Sequence, residues 1–387
     1  MADILGIGNA LLDIFWFSDE ESALPLALHP NRAAHVTPKR LDEIVARIPN
    51  PVYSAGGSAA NALKTARMLG ASCLLLGCTG TAAGTTPSTA AGDDDRWGSL
   101  FREEIARMGI ESKISRRNQP TGRCLVIHMP GSMTSIACAP GAAPGIDAAQ
   151  ITERDIASSR AVFFDGQLLR KEGLAVHTAR LCATYNKPLA LDIASTDMAT
   201  RAAELIHAVS AETQLFLFMN QEEAAVLARA MDADPACAAE SMYRKIAGRN
   251  TRGNSSSTGG KTGKLHAVIE KRGPLGAVLA CGEGIFTIPG IQAGQVLDTT
   301  GCGDVFEGAW LHSVLCGLSY RDAAYIANRA ASAKTAWPGS LLDRSVMDAL
   351  AQEISAARPK HTCITLPLPG QELHLQPCAS TPGRIEA

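Results

Sequence analysis

The most informative segment of this chain is Asp298-Thr299-Thr300-Gly301-Cys302-Gly303-Asp304, which an apolar run from Val305 to Cys316 follows directly. The apolar run predicts a buried helix. Two glycines around a small residue leave backbone N–H groups that can point at one anion, and the helix N-terminus adds positive partial charge there. Phosphoryl transfer needs such donors and also gains from a carboxylate that takes a proton from the acceptor hydroxyl. Asp304 meets the second need, although a glycine turn with an aspartate cap is the commoner use of such a segment.

Two further glycine segments strengthen the chemical interpretation. Gly56-Gly57-Ser58-Ala59-Ala60-Asn61 opens a predicted helix, where glycine permits close approach of a ligand and Asn61 offers a donor and an acceptor. Gly6-Ile7-Gly8-Asn9-Ala10-Leu11-Leu12-Asp13 ends the first predicted strand. Leu11 stands where a dinucleotide-binding loop needs its third glycine, so that interpretation is rejected. Asn9 and Asp13 suit paired hydroxyls, or simply form a polar turn after the strand.

Short apolar runs alternate with longer helical stretches along most of the chain. The predicted strands lie near Asp3–Gly8, Cys73–Gly77, Ala161–Phe164, Leu189–Asp192 and Leu215–Met219. The predicted helices are Ser58–Leu69, Gly98–Met108, Glu172–Tyr185 and Met198–Val209. This alternation predicts an α/β fold with a central, mostly parallel sheet covered on both faces, which binds ligands beyond the carboxyl ends of its strands.

Some regions depart from the alternation. Residues 14–52 and 110–139 carry short alternating segments, including a hairpin over 124–138, and we expect them to form one β-rich lid. We predict insertions at 79–92 and 249–264, the second a flexible surface loop. The Pro-rich tail at 359–387 is expected to pack loosely, which leaves 1–358 as the main domain.

Composition excludes several classes of protein. The chain is 46% hydrophobic and 19% charged, which is typical of a globular protein with a large core. Its net charge of −2 gives no support to a nucleic-acid partner. Asp13 interrupts the first apolar run, so no signal peptide or membrane span is predicted. The eleven cysteines contain no C-x-x-C pair, which favours a reducing cytoplasmic location over disulfides or a zinc site.

Together these segments resemble the ribokinase-like (PfkB) family of carbohydrate and nucleoside kinases, from about Asp3 to Ala356. The segment Asp298–Asp304 matches the family's D-T-x-G-x-G-D pattern, with Cys302 where alanine is usual. The resemblance implies a three-layer α/β sandwich with a small β-rich lid. It also implies ATP as co-substrate and Mg²⁺ as cofactor. The sequence leaves open a requirement for a monovalent cation and the choice between a monomer and a homodimer.

The resemblance also implies roles for single residues. Asp304 is the expected catalytic base, with the amides of Gly301, Cys302 and Gly303 as the anion hole. The residues expected to bind the acceptor are Asn9, Asp13, Gly57 and Asn61; those expected beside ATP are Lys271, Gly273, Thr299 and Asn328; those expected to organise Mg²⁺, in part through water, are Asn220 and Glu223. The position of Cys302 at a helix start would lower the pKa of its thiol and make it redox-sensitive, but a small residue tolerated in place of alanine is the favoured interpretation.

Within the family, adenosine kinases share the opening Gly8–Asp13 and the segment Gln119–Cys124. Two features differ from the family pattern: the turn after the lid strand is Gly131-Ser132-Met133 without an arginine, and Gly166 precedes Gln167 and Leu168 rather than an aromatic residue. Three functions therefore stay open. They are an adenosine or related nucleoside kinase, a kinase of ribose, fructose or a sugar acid, and a non-catalytic ligand-binding regulator on a kinase scaffold.

Overall fold

The computed structural model describes residues 1–18, 28, 32–82, 94–129, 133–171, 173–252, 266–292, 294, 296–339 and 342–357. The predicted tail at 359–387 and most of the predicted insertions at 79–92 and 249–264 lie outside these residues. Residues 79–80 end a strand and 249–252 end a helix, so the described edges of both insertions are regular structure.

The described elements follow one another in a regular order. The strands are β1 (Ala2–Ile7), β2 (Leu11–Phe17), β3 (Arg32–His35), β4 (Val52–Gly56), β5 (Cys73–Gly80), β6 (Glu111–Arg117), β7 (Gly122–Met129), β8 (Met133–Ala139), β9 (Ser159–Asp165), β10 (Leu189–Asp192), β11 (Leu215–Asn220), β12 (Ala267–Lys271), β13 (Gly276–Cys281) and β14 (Gly284–Pro289). The helices are α1 (Pro38–Val45), α2 (Ser58–Met68), α3 (Arg96–Arg107), α4 (Glu153–Ala157), α5 (Leu174–Thr184), α6 (Thr196–Val209), α7 (Gln221–Ala230), α8 (Ala238–Arg252), α9 (Cys302–Leu315), α10 (Tyr320–Lys334) and α11 (Arg344–Ala357).

A nine-stranded sheet forms the centre of the protein, in the order β14-β13-β12-β11-β10-β9-β1-β5-β6. Neighbouring strands are parallel except that β13 is antiparallel to both β12 and β14. Alternate strand residues pack to opposite faces: Phe163 joins the core beneath α2, α9 and α10, whereas Phe164 joins the core beneath α5, α6 and α7. Burial on both faces explains why these strands are continuous apolar runs. The predicted three-layer α/β sandwich is confirmed.

A second sheet of five strands has the order β3-β8-β7-β2-β4. Leu41 and Ile44 of α1 pack on one face of this sheet against Leu125 and Ile127. This second sheet agrees with the expected β-rich subdomain, but its residues are not all those that were predicted. Within the predicted lid segment 110–139, β6 instead pairs with β5 at the edge of the main sheet. Its polar, strand-like pattern resembles that of lid strands because an edge strand also has an exposed face.

None of the helices in the described part of the chain is both long enough and apolar enough to cross a membrane.

Candidate active site

Charged residues end several neighbouring strands of the main sheet. Asp165 is the last residue of β9, Asp192 of β10 and Lys271 of β12. Because these strands are parallel, their carboxyl ends lie at one edge of the sheet, where α/β proteins bind ligands. The first turn of α9 brings Asp304 to the same edge, close enough for the charge of Asp192 to raise the pKa of Asp304.

The glycine-rich loop before α9 is held from both sides. Gly301 caps the helix with φ 77°, a left-handed conformation that glycine adopts without strain. The carboxylate of Asp298 accepts hydrogen bonds from the amides of Thr300 at 2.7 Å and Gly339 at 2.6 Å. The ammonium of the fully buried Lys334 donates to the carbonyl oxygen of Asp298 at 2.8 Å. A buried cation and its aspartate therefore fix the shape of this loop.

The three amides predicted to form the anion hole lie at the N-terminus of α9. The Cys302 amide donates to the carbonyl oxygen of Thr299 at 3.2 Å, so it already has a partner. Amides in a first helical turn generally lack intrahelical acceptors, which leaves those of Gly301 and Gly303 suited to an anion. A Cβ at Gly303 would lie 3.0 Å from the Nζ of Lys271, so glycine allows the ammonium to approach the helix backbone. The anion hole itself stays a prediction.

Asp304 contacts a residue that is 243 positions away in the sequence. The side-chain amide of Asn61 in α2 donates to Oδ2 of Asp304 at 2.9 Å. Burial raises the pKa of Asp304 to about 6, and the negative charge of Asp192 adds to this, while Asn61 and Lys271 act in the opposite direction. The carboxylate is thus a stronger base than an exposed aspartate, as general-base catalysis near neutral pH requires.

Three carboxylates and one ammonium form a compact cluster, which we call the acid cluster: Asp192, Asp304, Glu307 and Lys271. Carboxylate oxygens of the three acids lie within 4.8 Å of one another. Lys271 forms an ion pair with Glu307, and its Nζ is 3.7 Å from Oδ1 of Asp192. Burial raises the pKa of Glu307. Burial alone would lower the pKa of Lys271, but the nearby carboxylates of Glu307 and Asp192 outweigh this effect and raise it. Closely spaced carboxylate oxygens suit a hard divalent cation such as Mg²⁺.

The acceptor side of the pocket contains two buried carbonyl oxygens without a hydrogen-bond partner among the described residues, Oδ1 of Asn9 and Oδ1 of Asn61. The Asn9 side-chain amide donates to Oδ2 of Asp165 at 3.2 Å, which fixes the direction of its oxygen. Burial also raises the pKa of Asp165 to about 6. A buried acceptor left unsatisfied is unfavourable, so both oxygens are well placed to accept hydrogen bonds from ligand hydroxyls.

Glycines allow the backbone to approach this pocket closely. A Cβ at Gly56 would lie 2.0 Å from Oδ2 of Asp13, and one at Gly57 would lie 2.1 Å from the carbonyl oxygen of Asn9. Burial raises the pKa of Asp13 to about 7, with the charge of Lys64 opposing it. The structure therefore brings the predicted acceptor residues together: Asn9, Asp13, Gly57 and Asn61 with Asp304.

The predicted Mg²⁺ residues have a local structural role. The Asn220 side chain accepts from the Glu223 amide, and the Glu223 carboxylate accepts from the Asn220 amide, both at 2.9 Å. This reciprocal cap starts α7 and explains both residues without a metal. Burial raises the pKa of Glu223, and Asp192 contributes to the rise, which places Glu223 near the acid cluster. A role in organising Mg²⁺ stays a prediction.

The residues predicted to bind ATP are spread over the end of β12, the turn after it, the loop before α9 and helix α10. Lys271 lies in the acid cluster, and Gly273 follows it in a short turn with φ 54°. The side-chain amide of Asn328 in α10 donates to the carbonyl oxygen of Pro289, at the end of β14, at 2.8 Å. That bond accounts for the burial of Asn328. Contacts of Lys271, Gly273, Thr299 and Asn328 with a nucleotide stay predictions.

The expectation of a lowered pKa at Cys302 is wrong. Burial raises the pKa of its thiol to about 11, although the charge of Lys334 opposes this. Loss of hydration outweighs the helix N-terminus because the side chain packs beside the Asp298 and Asp304 carboxylates, whose charges also disfavour a thiolate.

Four residues of this region were missing from the sequence-based prediction: Asp165, Asp192, Glu307 and Lys334. Asp165 and Asp192 each end an apolar strand, a position that could have marked them. Glu307 stands one turn after Asp304 among apolar residues, which is also visible in the sequence. Lys334 has no local feature that marks it, because its partner Asp298 is 36 positions away.

The second sheet lies over the loop that precedes α9. A Cβ at Gly339 would lie 2.4 Å from the ring of Phe15 in β2, so the two segments are in close contact. Nε2 of His128 in β7 lies 3.6 Å from Oδ2 of Asp298, and the ring of Phe17 stacks on His128 at 4.7 Å. The small sheet therefore covers the same edge of the main sheet as the acid cluster.

Comparison with known proteins agrees with this architecture. The family model described as "pfkB family carbohydrate kinase" matches residues 28–344. Among curated proteins, 2-dehydro-3-deoxygluconokinase from Bacillus subtilis (strain 168) is 32% identical over 94 residues. That match spans only 24% of this chain and 29% of the relative.

Solved structures with the same fold cover nearly the whole chain. An adenosine kinase from Sinorhizobium meliloti is 21% identical, covers 91% of this chain and 99% of its own, and has a TM-score of 0.72. A probable sugar kinase from Rhizobium etli CFN 42 is 20% identical, covers 91% of this chain and 98% of its own, and has a TM-score of 0.73. Adenosine kinase from Schistosoma mansoni in complex with 2-fluoroadenosine is 19% identical, covers 89% of this chain and 98% of its own, and has a TM-score of 0.71. At such identities these structures show a shared fold.

Proposed function

The chain belongs to the pfkB family of carbohydrate kinases, and on this premise we propose that it transfers the γ-phosphoryl group of ATP to a hydroxyl of adenosine or a related nucleoside. Family membership makes it a phosphotransferase with an alcohol group as acceptor, which disfavours the non-catalytic regulator. The observation that carries the proposal is the 2.9 Å contact between Asn61 and Asp304, which joins the predicted base to the predicted acceptor pocket.

The geometry supports a direct in-line transfer. Asp304 accepts the proton of the attacking hydroxyl, while Asn61 holds the carboxylate in place. The free carbonyl oxygens of Asn9 and Asn61 accept hydrogen bonds from other hydroxyls of the acceptor. The amides of Gly301 and Gly303 face the migrating group. When bound, a divalent cation offsets charge on the phosphate oxygens, and Asp192 of the acid cluster offers carboxylate oxygens that could hold it.

The choice of a nucleoside rests on sequence and fold together. The Gly8–Asp13 and Gln119–Cys124 segments resemble those of adenosine kinases, and two of the three solved structures described above carry that name. The second candidate is a sugar kinase. It is favoured by the Rhizobium etli structure, by the Bacillus subtilis relative and by Gln167-Leu168 at a position where an aromatic residue would stack on a base.

The domain arrangement follows from the same proposal. Residues 1–358 form one kinase domain, in which the second sheet acts as a lid that excludes water from the transferred group. We expect a cytoplasmic monomer or homodimer that uses ATP with Mg²⁺ and has a possible site for a monovalent cation, with no nucleic-acid or membrane partner.

A substrate panel tests the proposal. Purified protein is incubated with ATP, Mg²⁺ and either adenosine, guanosine, inosine, ribose, fructose or 2-dehydro-3-deoxygluconate, and ADP formation is measured. A kcat/KM for adenosine at least about tenfold above that for any free sugar supports a nucleoside kinase. The opposite order supports the sugar kinase, and turnover with none of them contradicts both assignments.

A further inference from the structure

We propose that Glu307 is a positioning residue for phosphoryl transfer, which holds the ammonium of Lys271 against the first turn of α9. In this place the ammonium stabilises the negative charge that develops on the migrating phosphoryl group. The inference rests on the proposed kinase mechanism and adds to it a residue pair that acts on the phosphoryl side of the pocket, opposite Asn9 and Asn61.

The position of Glu307 is not explained by packing. It is fully buried in α9, where its neighbours Val305, Phe306 and Ala309 are all core residues. Its Oε1 pairs with Lys271, whereas its Oε2 is buried without a hydrogen-bond partner among the described residues. A buried carboxylate is generally less favourable for stability than an apolar side chain of similar size. A charge at this position therefore indicates a role beyond stability.

Glu307 determines which way Lys271 points. Lys271 ends β12, and a lysine side chain at a strand end has many available rotamers. The carboxylate of Glu307 directs its ammonium toward the main-chain atoms of Gly303, since a Cβ on that glycine would lie 3.0 Å from Nζ. The neighbouring Arg272 points elsewhere, to Glu270 at 2.8 Å. Of the two basic residues at the end of β12, Lys271 is therefore the one that faces the predicted anion hole.

The placement fits the charge that moves during the reaction. The acceptor oxygen forms a bond to the γ-phosphorus, its proton passes to Asp304, and the bond from phosphorus to the ADP oxygen breaks, leaving that electron pair on ADP. An ammonium beside the helix N-terminus can bind the phosphoryl oxygens as their charge grows. In the sequence, the segment Pro130-Gly131-Ser132 contains no basic residue, which leaves Lys271 as a candidate to supply this charge.

The test is a double-mutant cycle on the full chain with the best acceptor from the substrate panel. Glu307→Gln keeps the shape of the side chain and removes its charge, and Lys271→Met removes the ammonium. We expect kcat to fall about 100-fold in Lys271→Met, at the lower end of the range for loss of one donor to a transition-state oxyanion. The fall in Glu307→Gln should be smaller, about 30-fold, because the ammonium is still present but no longer held in place. The double variant should lose no more than Lys271→Met alone, since Glu307 acts only through Lys271.

Four further measurements separate positioning from a structural role. KM for the acceptor and the dissociation constant for ADP without metal, measured by calorimetry, should change less than about threefold. Thermal midpoints should show that both single variants fold. Glu270→Gln is the matched control, because Glu270 is also buried, lies next to Lys271 and pairs with Arg272. Its kcat should stay within about twofold of the unmodified protein.

Several outcomes would overturn the inference. Multiplicative effects in the double variant would mean that Glu307 acts independently of Lys271. Recovery of kcat in Glu307→Gln at tenfold higher Mg²⁺ would make Glu307 a metal ligand instead. Unchanged kcat in Glu307→Gln would remove its role while leaving the proposed kinase function intact. Absence of turnover in the unmodified protein would instead contradict the kinase function itself.

Discussion

At the scale of single residues, Asp304 and Asn61 are coupled through one hydrogen bond, and this coupling predicts the pH dependence of the reaction. Burial raises the pKa of Asp304 to about 6, and the bond from Asn61 lowers it toward its ordinary value. The base must be unprotonated, so kcat/KM should fall about tenfold per pH unit below pH 6. In Asn61→Ala the fall should begin at higher pH. A pH–rate profile of both proteins measures this, and an identical midpoint would contradict the assignment of Asp304 as the base.

Also at the scale of single residues, Lys334 and Asp298 form a buried ion pair. Lys334 is fully buried and donates to the Asp298 backbone, with 3.3 Å to its carboxylate. Lys334→Met leaves a buried carboxylate without its cation and should lower the free energy of unfolding by about 3–5 kcal/mol, measured by urea denaturation. The matched control is Lys245→Met, whose partner Asp232 is almost fully exposed, and it should cost less than about 1 kcal/mol. Equal effects in the two variants would show that the buried pair has no special role.

At the scale of elements, the contact between α2 and α9 builds the site. Gly308 makes this contact possible, because a Cβ there would lie 2.1 Å from the carbonyl oxygen of Ala62. Gly308→Ala should separate the helices, lower the free energy of unfolding by about 1–3 kcal/mol, and reduce kcat because Asn61 moves away from Asp304. Denaturation and steady-state kinetics measure the two effects.

The control for this helix contact is Gly248→Ala in α8, where a Cβ would meet no atom of the described residues within 4 Å. Alanine has the higher helix propensity, so this change should raise the free energy of unfolding by about 0.5–1 kcal/mol. If both substitutions had the same effect, close packing at Gly308 would not be what holds α2 against α9.

At the scale of the whole molecule, the buried carboxylates of the site lower stability at neutral pH. The pKa of Asp13 is raised to about 7 from an unfolded value of 3.8. The folded protein therefore binds an extra proton between these values, and the stabilisation present below pH 4 is lost as the pH rises through 7. Asp13→Asn should raise the thermal midpoint by about 2–4 °C at pH 8 and by less at pH 5.

The control for this stability prediction is Asp197→Asn. Its carboxylate is 78% exposed, and its ion pair with Arg170 is long, at 3.7 Å. Its thermal midpoint should change by less than about 1 °C at either pH. A gain for Asp13→Asn that is equal at pH 5 and pH 8 would contradict the raised pKa.

The sequence by itself determined the α/β class, the parallel strands and the loop before α9, because strand length, apolar periodicity and glycine content are local properties. It also identified Asn9, Asp13, Asn61 and Asp304 as candidates, since polar residues after strands and at helix starts stand out against apolar surroundings. It did not place β6, because an exposed edge strand has the same pattern in either sheet.

Only the tertiary structure decided which of these residues meet. Asn61 reaches Asp304, Lys271 reaches Glu307 and Lys334 reaches Asp298 through contacts between segments at least 36 positions apart. Such contacts depend on how closely helices and strands pack, as at Gly308, and on which charges must be paired once water is excluded. Neither property can be read from a local pattern, so the acid cluster emerged only when the chain was folded.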